Sequence, residues 1–306
     1  MRVRSRRVAS WLAIAVLTVS VLGAAGCGDD DGDGASGAGQ SNSSATETTT
    51  TTNPTASPTK VKVGLADYSF DMPATLTAGP TEFEATNSGK EEHHMTLVKL
   101  KDGQTIKDVI AVLSGDVAQG LIDNHLVAGP QAVAPGKTQS MITDLEAGNY
   151  VVLCAIPSAD HLPHAAKGMI KELTVSPATQ PTSASGIPDE PRITLKDFTF
   201  ELPEGFDGQG TFRVQNAGTN PHEIAFYRVA DGTTYDDAVA IITGEKQVTG
   251  PPPVSPAGGV TAISPGQVGG MVLDLEPGTY VALCFLPAPD GQTHFQHGMV
   301  KEVKIT

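Results

Sequence analysis

The chain has 306 residues, enough for two domains of ordinary size plus tails. Its formal net charge is −14, and so acidic a surface argues against nucleic acid or anionic lipid as a partner. Three cysteines are too few for a disulfide framework.

Arg2, Arg4, Arg6 and Arg7 precede an apolar run from Val8 to Leu22, which ends in Gly23-Ala24-Ala25-Gly26 before Cys27. This is the pattern of a secretory signal. Its end resembles that of bacterial lipoproteins, although Ala24 stands where Leu is more usual. The resemblance implies removal of residues 1–26, acylation of Cys27 and an extracytoplasmic protein anchored in the bacterial cell membrane. Cleavage would move the net charge to −18 and remove Trp11, the single tryptophan. Residues 27–60 are Gly-, Asp- and Ser-rich and then Ser/Thr-rich; they cannot bury a core and read as a tether of roughly 30 Å if a random coil.

Beyond the tether the sequence repeats itself. DYSFDMP at 67–73 faces DFTFELP at 197–203, Asn87-x-Gly89 faces Asn216-x-Gly218, and Gly148-x-Tyr150 faces Gly278-x-Tyr280. A Ser/Pro/Thr-rich stretch at 176–191 reads as a linker, which brackets domains at 61–175 and 192–306. Short period-two runs such as Tyr150, Val152, Cys154 and Tyr280, Ala282, Cys284, separated by Gly and Pro, predict an all-β chain of two tandem antiparallel β-sandwiches. Each half also predicts one short helix. Ile106, Val109, Ile110 and Leu113, and Tyr235, Ala238, Val239 and Ile242, have helical spacing behind Thr105-x-x-Asp108 and Thr234-x-x-Asp237 starts. Such helices are expected to pack across the sandwiches as structural elements. Residues 115–135 and 244–265 read as long Gly/Pro-rich loops of no assignable role.

The repeats carry the same chemical set twice: His93, Cys154, His164, Met169 and His222, Cys284, His294, Met299. The separations are 61, 10 and 5 positions in the first and 62, 10 and 5 in the second. Two imidazoles, a thiolate and a thioether suit a mononuclear copper ion, because soft sulfur favours Cu(I) and imidazole serves both oxidation states. A Cys154–Cys284 bridge is disfavoured, since equivalent inner positions of two repeats would have to approach within about 7 Å. Three motifs frame the set: Asn-x-Gly-x3-His, Gly-x-Tyr-x3-Cys and His-x4-Met with Gly before the Met. In these motifs the chain resembles the cupredoxins, the blue copper proteins of the plastocyanin and azurin type. The resemblance implies Greek-key sandwiches in which His93 and His222 are the early ligands, Cys154 and Cys284 the thiolates, His164 and His294 the second imidazoles, and Met169 and Met299 the weak axial ligands. One feature departs from that pattern. Nine residues separate Cys from the second His in each repeat, more than mononuclear cupredoxins usually have. Closing such a loop is cheap, about 0.6 kcal/mol per doubling, but a long loop is expected to hold the histidine less rigidly.

These readings imply an extracytoplasmic copper-binding lipoprotein, one copper per domain, passing single electrons to and from a partner protein, with the membrane reached through Cys27. An oxidase or nitrite reductase would need further histidines beside the cysteine and in His-x-His pairs. Leu153 and Ala155 flank Cys154, Leu283 and Phe285 flank Cys284, and no His-x-His occurs, so no enzyme is expected. A metal-free surface binding module and a copper storage or delivery protein are the alternatives. Alternation along the strand places His93 with Met95 and Leu97 on the inner face and His94 with Thr96 on the other, so His93 alone is expected to ligate.

Overall fold

The computed structural model describes residues 57–113, 117–179 and 185–306. The signal segment, Cys27, most of the tether and linker residues 180–184 lie outside these. The first half consists of β1 (Thr59–Ala66), β2 (Ser69–Asp71), β3 (Thr75–Thr77), β4 (Gly79–Asn87), β5 (Thr96–Lys99), α1 (Ile106–Leu113), α2 (Val117–Asp123), β6 (His125–Val127), β7 (Thr138–Leu145), β8 (Gly148–Leu153) and β9 (Ile170–Ser176). The second consists of β10 (Arg192–Lys196), β11 (Thr199–Glu201), β12 (Gln209–Asn216), β13 (His222–Val229), α3 (Tyr235–Ile242), β14 (Val254–Ile263), β15 (Val268–Asp274), β16 (Gly278–Leu283) and β17 (Val300–Ile305).

Each half is a β-sandwich of two sheets, as the alternating pattern predicts. In the first, β2-β1-β4-β7 faces β3-β9-β8-β5-β6; in the second, β11-β10-β12-β15 faces β14-β13-β16-β17. The alternation in β1 puts Val61, Val63 and Leu65 inward against Phe83, Tyr150 and Val152. β8 is buried on both faces, because Val151 and Leu153 pack outward beneath Val109 of α1. Helix α3 covers Val281 and Leu283 in the same way through Ala238. Helices α1 and α3 occupy the residues that the periodicity predicts, whereas α2 stands within 115–135, a stretch read as loop. The Thr234 hydroxyl caps α3 by accepting the Asp237 amide at 3.2 Å, and the Asp108 carboxylate accepts the Thr105 amide at 2.7 Å.

The two sandwiches are fused rather than strung side by side. β7 pairs antiparallel with β15, Ile142 opposite Gly270 and Met141 opposite Met271, which makes one eight-stranded sheet across both halves. Glycine permits this approach: a Cβ on Gly269 would lie 2.2 Å from Met141 Cε and 2.5 Å from Ala128 Cβ. Met141 and Ala128 consequently join the second half's core beside Phe212 and Met271. The linker's end joins the contact too, with Ile187 buried against Gly270.

The stretches read as loops prove to be the second seam. Residues 126–130 run beside 260–264: the Thr261 amide donates to Gly129 O at 2.9 Å, and the Ser264 hydroxyl accepts the Leu126 amide at 2.9 Å. Residues 254–263, with a Pro and two adjacent glycines, form the ten-residue strand β14. Gly and Pro argue against a strand by propensity, yet here they serve packing. A Cβ on Gly259 would sit 2.0 Å from Ile224 O, and one on Gly129, its counterpart in the first half, 2.0 Å from Met95 O.

Fusion predicts that the halves unfold together. Gly269→Val should lower the urea midpoint by the equivalent of about 1–3 kcal/mol through overpacking. An unchanged midpoint would contradict the seam.

Candidate metal centres

The loop after β4 is organised by Asn87. Its side-chain NH2 donates to Glu91 O and Val133 O, both at 2.8 Å, while its Oδ1 accepts the Gly89 amide at 2.8 Å. Asn216 makes the same three bonds to Asn220 O, Ile263 O and the Gly218 amide. The loop then delivers His93 and His222 into the sandwich, fully buried. The glycine of Asn-x-Gly has a direct purpose: a Cβ there would meet Asp67 Oδ1 at 2.4 Å and His93 Nε2 at 2.8 Å, or Asp197 Oδ1 at 2.4 Å and His222 Nε2 at 2.7 Å. It clears the space in which carboxylate and imidazole meet.

The cysteines end the strands β8 and β16. Tyr150 and Tyr280 anchor these strands by donating to Glu146 O and Glu276 O, each at 2.8 Å, and the preceding Gly148 and Gly278 take positive φ values of 148° and 154°. The nine-residue excursion that follows is not slack. It folds on itself as a small hairpin, bridged between Pro157 and Pro163 in the first half and between Pro287 and Thr293 in the second. The returning histidine is then clamped: His164 N donates to Ile156 O at 2.9 Å, Ala165 N to Cys154 O at 2.8 Å and Met169 N to His164 O at 2.9 Å. His294, Phe295 and Met299 repeat these bonds. The extra length thus lies in the hairpin tip, while backbone hydrogen bonds hold the histidine at its base.

Three donor atoms converge in each half. His93, Cys154 and His164 offer ligand atoms within 4.8 Å of one another, as do His222, Cys284 and His294, and all six residues are buried. In the first set the two Nδ1 atoms stand 3.0 Å apart, with Cys154 Sγ 3.5 Å from His164 Nδ1; in the second the distances are 3.1 and 3.3 Å. The outer nitrogens decide what these atoms present. His93 Nε2 donates to Asp67 Oδ1 at 3.2 Å, His164 Nε2 to Glu91 Oε2 at 2.8 Å and His222 Nε2 to Asp197 Oδ1 at 2.6 Å. A carboxylate only accepts, so each of these Nε2 atoms carries the proton and each Nδ1 is left with a lone pair. In the first half two lone pairs therefore face each other. Burial holds His93 below the usual imidazole range despite Asp67. Burial, reinforced by His222, likewise pushes His294 down to about 4.

The thiols complete the case for a cation. Burial pushes Cys154 up to about 12 and Cys284 well above the ordinary thiol range, although the backbone amides of His94 and Ile156 point at the first sulfur. Such a sulfur is a poor nucleophile, and its thiolate needs a positive charge beside it. Both cysteines are free, without a bridge. The donor set of two imidazoles and one thiolate fits copper by softness and number. Met169 and Met299 are buried in the same cores, and their carbonyls accept the Cys154 and Cys284 amides at 3.1 Å.

His94 lies outside the set, on the opposite face from His93. Its Nε2 accepts the Ala155 amide at 2.7 Å, and burial pushes it down to about 4. The carboxylate partners Asp67, Glu91 and Asp197 escaped the sequence reading. Asp67 and Asp197 head the repeated DYSFDMP and DFTFELP segments, so the signal existed but was legible only as repetition. The halves also differ around the second imidazole. Tyr68 donates to Glu91 at 2.9 Å in the first, whereas Phe198 and Asn220 occupy these places in the second and Phe198 lies edge-on to His294.

No family profile and no curated protein matches the chain. Among solved structures it is similar to dithionite-reduced auracyanin of Roseiflexus castenholzii, at 20% identity over 40% of this chain and 100% of the other, TM-score 0.30. It is also similar to auracyanin A of Chloroflexus aurantiacus, a "blue" copper protein, at 19% identity over 39% and 99%, TM-score 0.30. A multicopper oxidase aligns with 81% of this chain and 88% of its own at 12% identity, TM-score 0.25. At such values the likeness decides nothing about the sites, whose reading stands on their own donor atoms.

His93 and His94 precede β5 and turn to opposite sides, His93 toward His164 and His94 toward Gln131, which gives a test. His93→Ala should abolish or strongly perturb the first half's copper(II) charge-transfer band, and His94→Ala should leave it nearly unchanged. The reverse result would contradict the assigned register.

Proposed function

We propose that the chain is an extracytoplasmic, lipid-anchored protein that binds two coppers, one in each half, and passes single electrons to and from a partner protein. The observation that carries this reading is the pair of facing Nδ1 atoms beside a buried sulfur, fixed from behind by carboxylates. A bound copper would supply one-electron chemistry. The chain's own residues would hold it: His93, Cys154 and His164, and His222, Cys284 and His294, with Met169 and Met299 as weaker thioether ligands. Rigid clamping of both imidazoles favours little rearrangement between oxidation states, which suits carriage. Complete burial of the donors speaks against ready transfer of the metal to another protein.

Residues 61–306 should take up two coppers per chain with thiolate-to-copper charge-transfer absorption, and Cys154→Ser and Cys284→Ser should each remove about half of it. Metal analysis finding no copper after reconstitution, with both thiols free, would favour a metal-free binding module instead.

Cys27, at the end of an apolar signal-like run, would place the protein on the membrane surface. The mature protein should partition with membranes, and Cys27→Ser should release it; an unmodified N-terminus found by mass spectrometry at another residue would refute the anchor.

A further inference from the structure

A buried polar chain crosses the seam between the halves and touches the residue after each cysteine. The Ala155 amide donates to His94 Nε2 at 2.7 Å, which leaves His94 Nδ1 as the protonated nitrogen, and this donates to Gln131 Oε1 at 2.9 Å. Gln131 Nε2 donates to Glu223 Oε2 at 2.9 Å, and Glu223 Oε1 accepts the Phe285 amide at 3.0 Å. His94, Gln131 and Glu223 are 7, 4 and 4% exposed. Every donor meets an acceptor along the line, so the four bonds form one continuous chain from Cys154–Ala155 to Phe285–Cys284.

The chain depends on a difference between the repeats. His94 and Glu223 hold equivalent positions, next to the ligands His93 and His222, and both accept the amide that follows the cysteine. Two glutamates would oppose two acceptors across Gln131. A His on one side and a Glu on the other give the donor and the acceptor that one amide side chain can join. Burying these three polar groups is costly unless all bonds are made, and a core of apolar residues would hold the seam without that cost.

We propose that His94, Gln131 and Glu223 form the route by which the two metal sites exchange an electron, an inference that rests on the copper reading above. One electron leaves the reduced copper of one site and enters the oxidised copper of the other; no bond breaks and no proton moves. Short hydrogen bonds couple donor and acceptor orbitals better than van der Waals gaps, and this run ends on the residue after each cysteine, as the β7–β15 pairing and the Thr261–Gly129 bond do not; the covalent path between the cysteines runs through about 130 residues. The sites are unequal. Glu91 places a second carboxylate behind the first site and favours its oxidised ion, whereas Asn220 and Phe198 do not, so the shared electron resides on the second site.

The test uses the copper-loaded protein, reduced with less than one equivalent of a pulsed one-electron radical reductant, while the two charge-transfer bands are followed. A concentration-independent phase should move the electron toward the second site, identified with Cys154→Ser and Cys284→Ser references. Gln131→Met, similar in length but without polar atoms, should slow that phase at least tenfold with copper stoichiometry and both bands retained. Glu223→Gln, which sets an amide donor against the Gln131 donor while keeping the Phe285 bond, should do the same if the first variant does not fold. In the copper-free protein, NMR should show the Ala155 and Phe285 amides shifted and exchanging faster in the variants. Failure of the unaltered protein to bind copper would overturn the copper reading and the route together. Copper bound with both bands, but with no concentration-independent phase or one indifferent to both substitutions, would overturn the route alone.

Discussion

Two imidazole nitrogens that each present a lone pair cannot rest 3.0 Å apart without a positive charge between them. That constraint governs the first half of the molecule. Asp67 and Glu91 hold the protons on the outer nitrogens, Gly89 gives Asp67 room, and Asn87 holds the loop that carries Gly89 and Glu91. The sulfur of Cys154 stands beside this pair in a core too apolar to sustain a bare thiolate. A soft cation resolves both problems at once, and the residues around it are placed as though it were expected.

The second half reaches the same arrangement with fewer charges. Asp197 fixes His222 as Asp67 fixes His93, but an aromatic ring rather than an acid stands behind His294. The two halves thus share one arrangement of donor atoms with different groups behind it, two carboxylates in the first and one carboxylate and a ring in the second. The fused sheet joins the halves where Gly269 leaves room for Met141 and Ala128 beside the β7–β15 pairing.

Much of this was legible in the sequence. Strand alternation separated His93 from His94, helical periodicity and the Thr-x-x-Asp starts located both helices, and the matched spacings assembled both His–Cys–His sets. The misreadings share one cause: glycine and proline were taken as signs of loops, whereas in residues 254–263 they admit a neighbouring backbone at close range. The hairpin within the Cys-to-His segment was hidden likewise, since a count of nine residues does not tell a slack loop from one bridged between Pro157 and Pro163. The role of the carboxylates was hidden for another reason. Asp67 lies 26 positions from His93, and only the fold brings them to 3.2 Å. The seam itself, with Gln131 between His94 and Glu223, depends on contacts 92 positions apart that no local pattern announces.

X-ray absorption at the copper edge of the reconstituted protein examines the central claim most directly. The account predicts two coppers per chain, each with one short copper–sulfur bond and two imidazole nitrogens, and loss of the sulfur contribution from one site in Cys154→Ser or Cys284→Ser. Copper surrounded only by oxygen and nitrogen, with the sulfur contribution absent from the unaltered protein, would contradict it.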